Sequence, residues 1–175
     1  NKKGLVLDLD NTLWGGVVGD DGVENIIIGQ ETSEGQAYSE FQDYLKQLKK
    51  IGVILNINSK NDEKNAIAGL NHPDGTIRPE DFIIIKANWE PKSRNMLEIA
   101  QELNLGVDSL VFVDDNPAER AIINQQIPSV STPVIEKPEK YIETIDRAGY
   151  FEVINLSKDD LKKSEMYKEN IERNK

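Results

Sequence analysis

Leu5-Val6-Leu7-Asp8-Leu9-Asp10-Asn11-Thr12-Leu13 is an apolar run that ends in two aspartates two residues apart, followed by a threonine. Such a run reads as a buried strand that carries carboxylates to the edge of a sheet. In an extended chain the i, i+2 spacing points Asp8 and Asp10 to the same side. Ionised carboxylates that close repel unless a cation or a proton lies between them, so a metal and a phosphate suit this pair. A calcium loop starting at Asp8 fails on its own pattern. It needs glycine at the sixth position and glutamate at the twelfth, where Leu13 and Gly19 stand.

Further apolar runs follow at 53–57, 82–85 and 110–113, and with 4–9 they make four strands buried on both faces. Helical patterns lie between and after them at 33–51, 62–70, 91–103 and 117–126, with a fifth at 139–148. Alternation of strand and helix implies a parallel sheet with crossover helices. The expected fold is α/β: a three-layer, Rossmann-like parallel sheet with helices on both faces. In such sheets ligands bind beyond the carboxyl ends of the strands, where Asp8 and Asp10, Asn58 and Ser59, and Asp114 and Asp115 all fall. The segment 14–23, with its Asp21-Gly22 turn between apolar pairs, predicts a β-hairpin flap over that edge.

The chain of 175 residues suits one domain, expected over 1–151, with 152–175 as a C-terminal helix or linker. Its 31 acidic against 21 basic residues give a net charge of −10. That charge disfavours nucleic acid and anionic membranes as partners. Without cysteine there is no disulfide framework, cysteine nucleophile or thiolate zinc site. No run of about 18 apolar residues and no signal segment stands out, so the expected compartment is the cytoplasm. Asn1 standing just before the first strand, and the polar tail, suggest a piece excised from a longer protein.

Ser59 with Asp62 forms a plausible helix cap, and a helix start also favours a phosphate oxygen. Lys92 follows Pro91 in the first turn of a helix, where a cation opposes the dipole by roughly 0.3 to 1 kcal/mol and so suggests an anionic partner. Of Asp114 and Asp115, one suffices for capping, and Asp114, at the strand end, is the better metal ligand. Asp115 is a direct ligand, a water-mediated one or a positioning group. His72 reads as structural or solvated, Arg94 as a surface residue, and Trp14 and Trp89 as packing residues or the lining of a substrate mouth.

Together, Asp8-Leu9-Asp10-Asn11-Thr12, Ser59, Lys92 and Asp114-Asp115 resemble, in order and context, the four motifs of the haloacid dehalogenase (HAD) superfamily of phosphotransferases. Closer still, Asp10-Asn11-Thr12-Leu13-Trp14-Gly15-Gly16, Ser59-Lys60-Asn61-Asp62, Asn88-Trp89-Glu90-Pro91-Lys92-Ser93 and Asp114-Asp115-Asn116-Pro117-Ala118-Glu119-Arg120 are similar to the FkbH-like branch of subfamily IIIC. The resemblance implies an aspartyl-phosphate mechanism with Asp8 as nucleophile and Asp10 as proton donor and then base. It also implies Mg2+ held by Asp8, the Asp10 backbone carbonyl and Asp114, with Asp115 as a further metal candidate. Ser59 and Lys92 would bind phosphate, with Thr12 and Lys60 as additional phosphate-binding candidates.

The implied activity is Mg2+-dependent phosphomonoester hydrolysis (EC 3.1.3.-) in surface-polysaccharide or secondary-metabolite biosynthesis. Two other readings stand beside it: removal of phosphate during glyceryl transfer to an acyl carrier protein, and a non-catalytic interaction domain. Superfamily members usually carry a cap, but the segment lengths leave no room for a cap domain. An open site would suit a bulky or carrier-bound phosphorylated substrate, and longer relatives continue into a transferase-like domain.

Overall fold

The computed structural model describes residues 1–151 and 171. Four strands, β1 (Gly4–Leu7), β2 (Ile54–Lys60), β3 (Ile84–Asn88) and β4 (Leu110–Val113), form one sheet in the order β3-β2-β1-β4. Every pairing is parallel. The helices are α1 (Val18–Asp21), α2 (Ser33–Lys50), α3 (Glu63–Leu70), α4 (Lys92–Leu103), α5 (Pro117–Gln126) and α6 (Tyr141–Ala148). The C-terminal helix or linker expected over 152–175 lies, but for residue 171, outside the described residues.

Strand periodicity sorts the side chains into two cores. Leu5 and Leu7, with Leu55, Ile57, Val111 and Val113, face a layer built from α2, α3 and α6. Val6, Ile54 and Phe112 face α4 and α5 through Met96, Ile99, Leu103 and Ile123. All four β1 residues are therefore buried, as a run without polar alternation requires. On α2, Phe41, Leu45 and Leu48 form the buried stripe, each contributing about 1.5 to 3 kcal/mol by leaving water. The Thr32 hydroxyl caps that helix by accepting from the Gly35 N–H at 2.9 Å.

The strand order reverses between β1 and β4. This is the topological switch point where an open α/β sheet parts its loops and leaves a crevice. Between β2 and β3 stand only α3, a loop and a turn of 3-10 helix at Pro79–Asp81.

The expected β-hairpin flap is corrected. Residues 14–27 are pinched at the base by one antiparallel bridge, Gly15 to Ile27, and the tip folds into the helical turn α1. The cause is Asp21. Its carboxylate accepts the Val17 N–H at 2.8 Å, closing a helical turn where a two-residue hairpin needs extended flanks. The flap packs on α3, and a methyl group on Gly69 would lie 2.4 Å from the Trp14 ring, so only glycine admits the indole there. No described helix is long and apolar enough to cross a membrane.

Candidate active site

β1, β4 and α4 deliver three charged side chains to one point. Asp8 continues the parity of Val6, and Asp114 that of Phe112, so both lean toward the face covered by α4. The first residue of that helix is Lys92. Its ammonium lies 3.1 Å from Asp8 Oδ1 and 2.6 Å from Asp114 Oδ2, with the Phe112 ring beneath it at 5.9 Å. Carboxylate oxygens of Asp8, Asp114 and Asp115 lie within 4.8 Å of one another. Hard oxygen donors in such a cluster suit a small divalent cation, and the position of the Lys92 ammonium shows that the carboxylates demand positive charge.

Burial governs the protonation of this cluster. It pushes the Asp8 carboxyl up to about 7, against the pull of Lys92 and with further repulsion from Asp114. Asp115 rises to about 6, by burial first and Asp114 second. For Lys92, burial works against the charged form. The facing Asp8 and Asp114 outweigh it and raise the ammonium above its ordinary value.

Asp10 is not one of the three clustered carboxylates. The chain leaves the strand after Leu7, the Thr12 and Leu13 N–H groups both bond to the Leu9 carbonyl, and the Asp10 carboxylate turns to the flap. Its Oδ1 accepts from the Trp14 indole at 3.1 Å and the Val18 N–H at 2.9 Å. Its Oδ2 accepts from Asn61 at 3.0 Å. Trp14 is fully buried and lines no mouth. Ser59 belongs to the end of β2 and does not cap α3; it accepts a hydrogen bond from Asn61. Asp62 holds the N-cap position, but its carboxylate accepts from the Trp89 indole at 2.9 Å.

Thr12 is buried and donates to Asp115 at 3.2 Å. Lys60 forms an exposed ion pair with Glu119 at 3.1 Å, joining the end of β2 to the start of α5. Arg94 pairs with Glu90 and Glu98 on the surface. His72 accepts its loop neighbour's N–H, from Asp74.

Several supporting contacts lay beyond the sequence pattern. Asn58 donates to the Lys92 carbonyl and accepts from Asn95, which also donates to Asn88. These three amides clamp the start of α4, and with it Lys92. Arg120 donates to the Asp114 carbonyl, and the Tyr141 hydroxyl donates to the Asn11 carbonyl at 2.7 Å. Asn11 itself adopts a left-handed conformation, φ 59°. The polar asparagines in the β2 run were the only visible signal.

No family model matches the chain, and no curated protein does. Solved structures do. The N-terminal part of protein BF1531 from Bacteroides fragilis, containing a phosphatase domain and complexed with Mg, is 44% identical with a TM-score of 0.83. The match covers 86% of this chain and 41% of that one, so the chain spans less than half of its length. A HAD family enzyme from Bacteroides thetaiotaomicron, in complex with magnesium and inorganic phosphate, is 14% identical over 82% of this chain and 98% of that one, TM-score 0.57. A predicted HAD-like family hydrolase from Porphyromonas gingivalis is 16% identical over 84% and 97%, TM-score 0.54. The four-stranded parallel sheet with helices on both faces is a HAD-like fold.

Proposed function

We propose that the chain is a Mg2+-dependent phosphomonoester hydrolase of the HAD superfamily, FkbH-like branch, working in the cytoplasm through an aspartyl-phosphate. One observation carries this reading: Asp8, Asp114 and Asp115 cluster at the switch point of the sheet, with the Lys92 ammonium against the first two. The likeness to the Mg-complexed phosphatase domain from Bacteroides fragilis supports it.

An Asp8 carboxylate oxygen attacks phosphorus and the ester P–O bond breaks. Asp10 gives the departing alcohol its proton. A water that Asp10 deprotonates then attacks the aspartyl-phosphate, releasing phosphate and restoring Asp8. Ser59 and Lys92 hold the phosphoryl oxygens during both displacements. Mg2+ held by Asp8, Asp114 and the Asp10 carbonyl, with Asp115 directly or through water, would neutralise charge on the transferring group.

The rim fits a bulky or carrier-bound substrate. Trp89 is 68% exposed, yet Asp62 holds its indole in place at the end of β3. Between β2 and β3 no inserted domain stands among the described residues, which supports a capless site. A role in surface-polysaccharide or secondary-metabolite biosynthesis, with a transferase-like region in the same polypeptide, extends this proposal.

The test is phosphate release from an aryl phosphate. Turnover is expected with Mg2+ and none with chelator; turnover unaffected by chelation would overturn the reading.

Thermal unfolding supplies an independent check. Asp8 and Asp115, raised from 3.8 to about 7 and about 6, bind more protons in the folded chain than in the unfolded one across that window. In chelator, stability should therefore fall as pH rises from about 4 to 7. Mg2+ needs the deprotonated carboxylates, so it should stabilise more at pH 7.5 than at pH 5. At about 100 times its Kd the gain is about 2.7 kcal/mol, or roughly 5 to 10 °C in Tm for a chain of this size. Equal gains at both pH values would argue against this cluster as the site.

A further inference from the structure

Asn61 has no part in the reaction described above, yet it touches two groups that do. The residue is 3% exposed. Nδ2 donates to Asp10 Oδ2 at 3.0 Å and to Ser59 Oγ at 2.9 Å. An amide nitrogen carries two hydrogens and accepts nothing, so both bonds run outward and their polarity is fixed. We propose that Asn61 is the positioning residue that couples the proton-handling Asp10 to the phosphate-binding Ser59.

The consequences differ for the two partners. Ser59 Oγ is an acceptor toward Asn61, so its single proton is turned away from the amide and left for a phosphoryl oxygen. On Asp10, Oδ1 already takes two donors, from Trp14 and Val18. Among the described residues Oδ2 takes only Asn61, and a carboxylate oxygen can accept twice. Asn61 therefore fixes the plane of the carboxylate while leaving Oδ2 a lone pair for the travelling proton. The pairing also ties the end of β2 to the flap, whose Gly19 backs onto Asn61 and Asn65.

This inference rests on the phosphatase reading, and one experiment separates the two. Wild type, Asn61→Ala and Asn61→Asp are assayed with phenyl phosphate, whose leaving group needs a proton, and p-nitrophenyl phosphate, whose leaving group does not. Asn61→Ala should lower kcat/KM on the order of 100-fold for phenyl phosphate and roughly tenfold or less for the nitrophenyl ester. Asn61→Asp keeps the volume but, assayed above the pH at which its carboxylate ionises, cannot donate, and should lose at least as much as alanine.

Equal losses on both esters, or near wild-type activity in Asn61→Asp, would overturn the inference and leave the phosphatase reading intact. No turnover of either ester by wild type would sink both. Should Asn61→Ala fail to fold, Asn61→Ser, which retains one donor, is read on the same pair of esters by the same criterion.

Discussion

Asp8→Asn is expected to abolish phosphate release, lowering kcat/KM by at least the order of 10³-fold, and to raise Tm in chelator above pH 7. The first effect follows from chemistry. The amide keeps the shape of the carboxylate but offers no oxygen nucleophile able to form an acyl phosphate. The second follows from burial, which holds the Asp8 carboxyl up to about 7. Its charge is thus a cost to the folded chain at neutral pH, and a neutral isostere removes that cost. Activity and stability are set against each other at this position.

The pH dependence gives the sign. Wild type should lose stability between pH 4 and 7 while the variant loses less, so the gap in Tm widens across that range. Mg2+ should reverse the ranking, because the variant lacks one of the carboxylates that hold it. Phosphate release measured alongside melting curves, each with chelator and with Mg2+, checks both claims. Full turnover in Asp8→Asn would remove Asp8 as nucleophile. A variant less stable than wild type at pH 8 in chelator would show that the contact with Lys92 outweighs the burial cost.

The sheet was legible because its strands are buried on both faces. The run 110–113 matches β4, and 117–126 matches α5, residue for residue. Strand β2 runs on past the expected 57 to Lys60. Its last residues, Asn58, Ser59 and Lys60, are polar, and polarity at a strand end reads as loop. They stay in the sheet because β3 pairs with them and Asn95, Asn61 and Glu119 bond the side chains of Asn58, Ser59 and Lys60 in turn. The flap was misread because Asp-Gly fits a hairpin turn, whereas here Asp21 bonds back to Val17 and winds a helical turn.

The residues at the strand ends were legible for the same reason as the strands, since parity and the switch point bring Asp8, Asp114 and Lys92 together. Asp10 was less so. The i, i+2 rule holds only while the chain stays extended, and it leaves the strand after Leu7. Apart from the asparagines in the β2 run, the supporting residues left no local trace. Asn61 lies 51 positions from Asp10, and Tyr141 lies 130 from Asn11. Bonds over such separations are made by the fold, and a lone asparagine or tyrosine carries no periodic signal that forecasts them.

Lys92→Met separates the structural from the catalytic use of the ammonium. Methionine preserves the stem in the apolar bed over Phe112 and deletes the charge that lies between Asp8 and Asp114. Removing one partner of a buried ionic cluster costs about 3 to 5 kcal/mol, which for a chain of this size is roughly 6 to 20 °C in Tm. That loss is expected in chelator at pH 7.5. At pH 5 it should shrink, because Asp8 is then largely protonated even beside Lys92. Mg2+ should bind the variant at least as tightly as wild type, having no ammonium to compete with, and should restore most of the lost Tm. It should not restore turnover, which stays about 10² to 10³-fold down, since the cation replaces Lys92 as counter-ion to the carboxylates but not as donor to the phosphoryl oxygens. Recovery of activity together with stability would reduce Lys92 to a counter-ion, and an unchanged Tm in chelator would deny it even that.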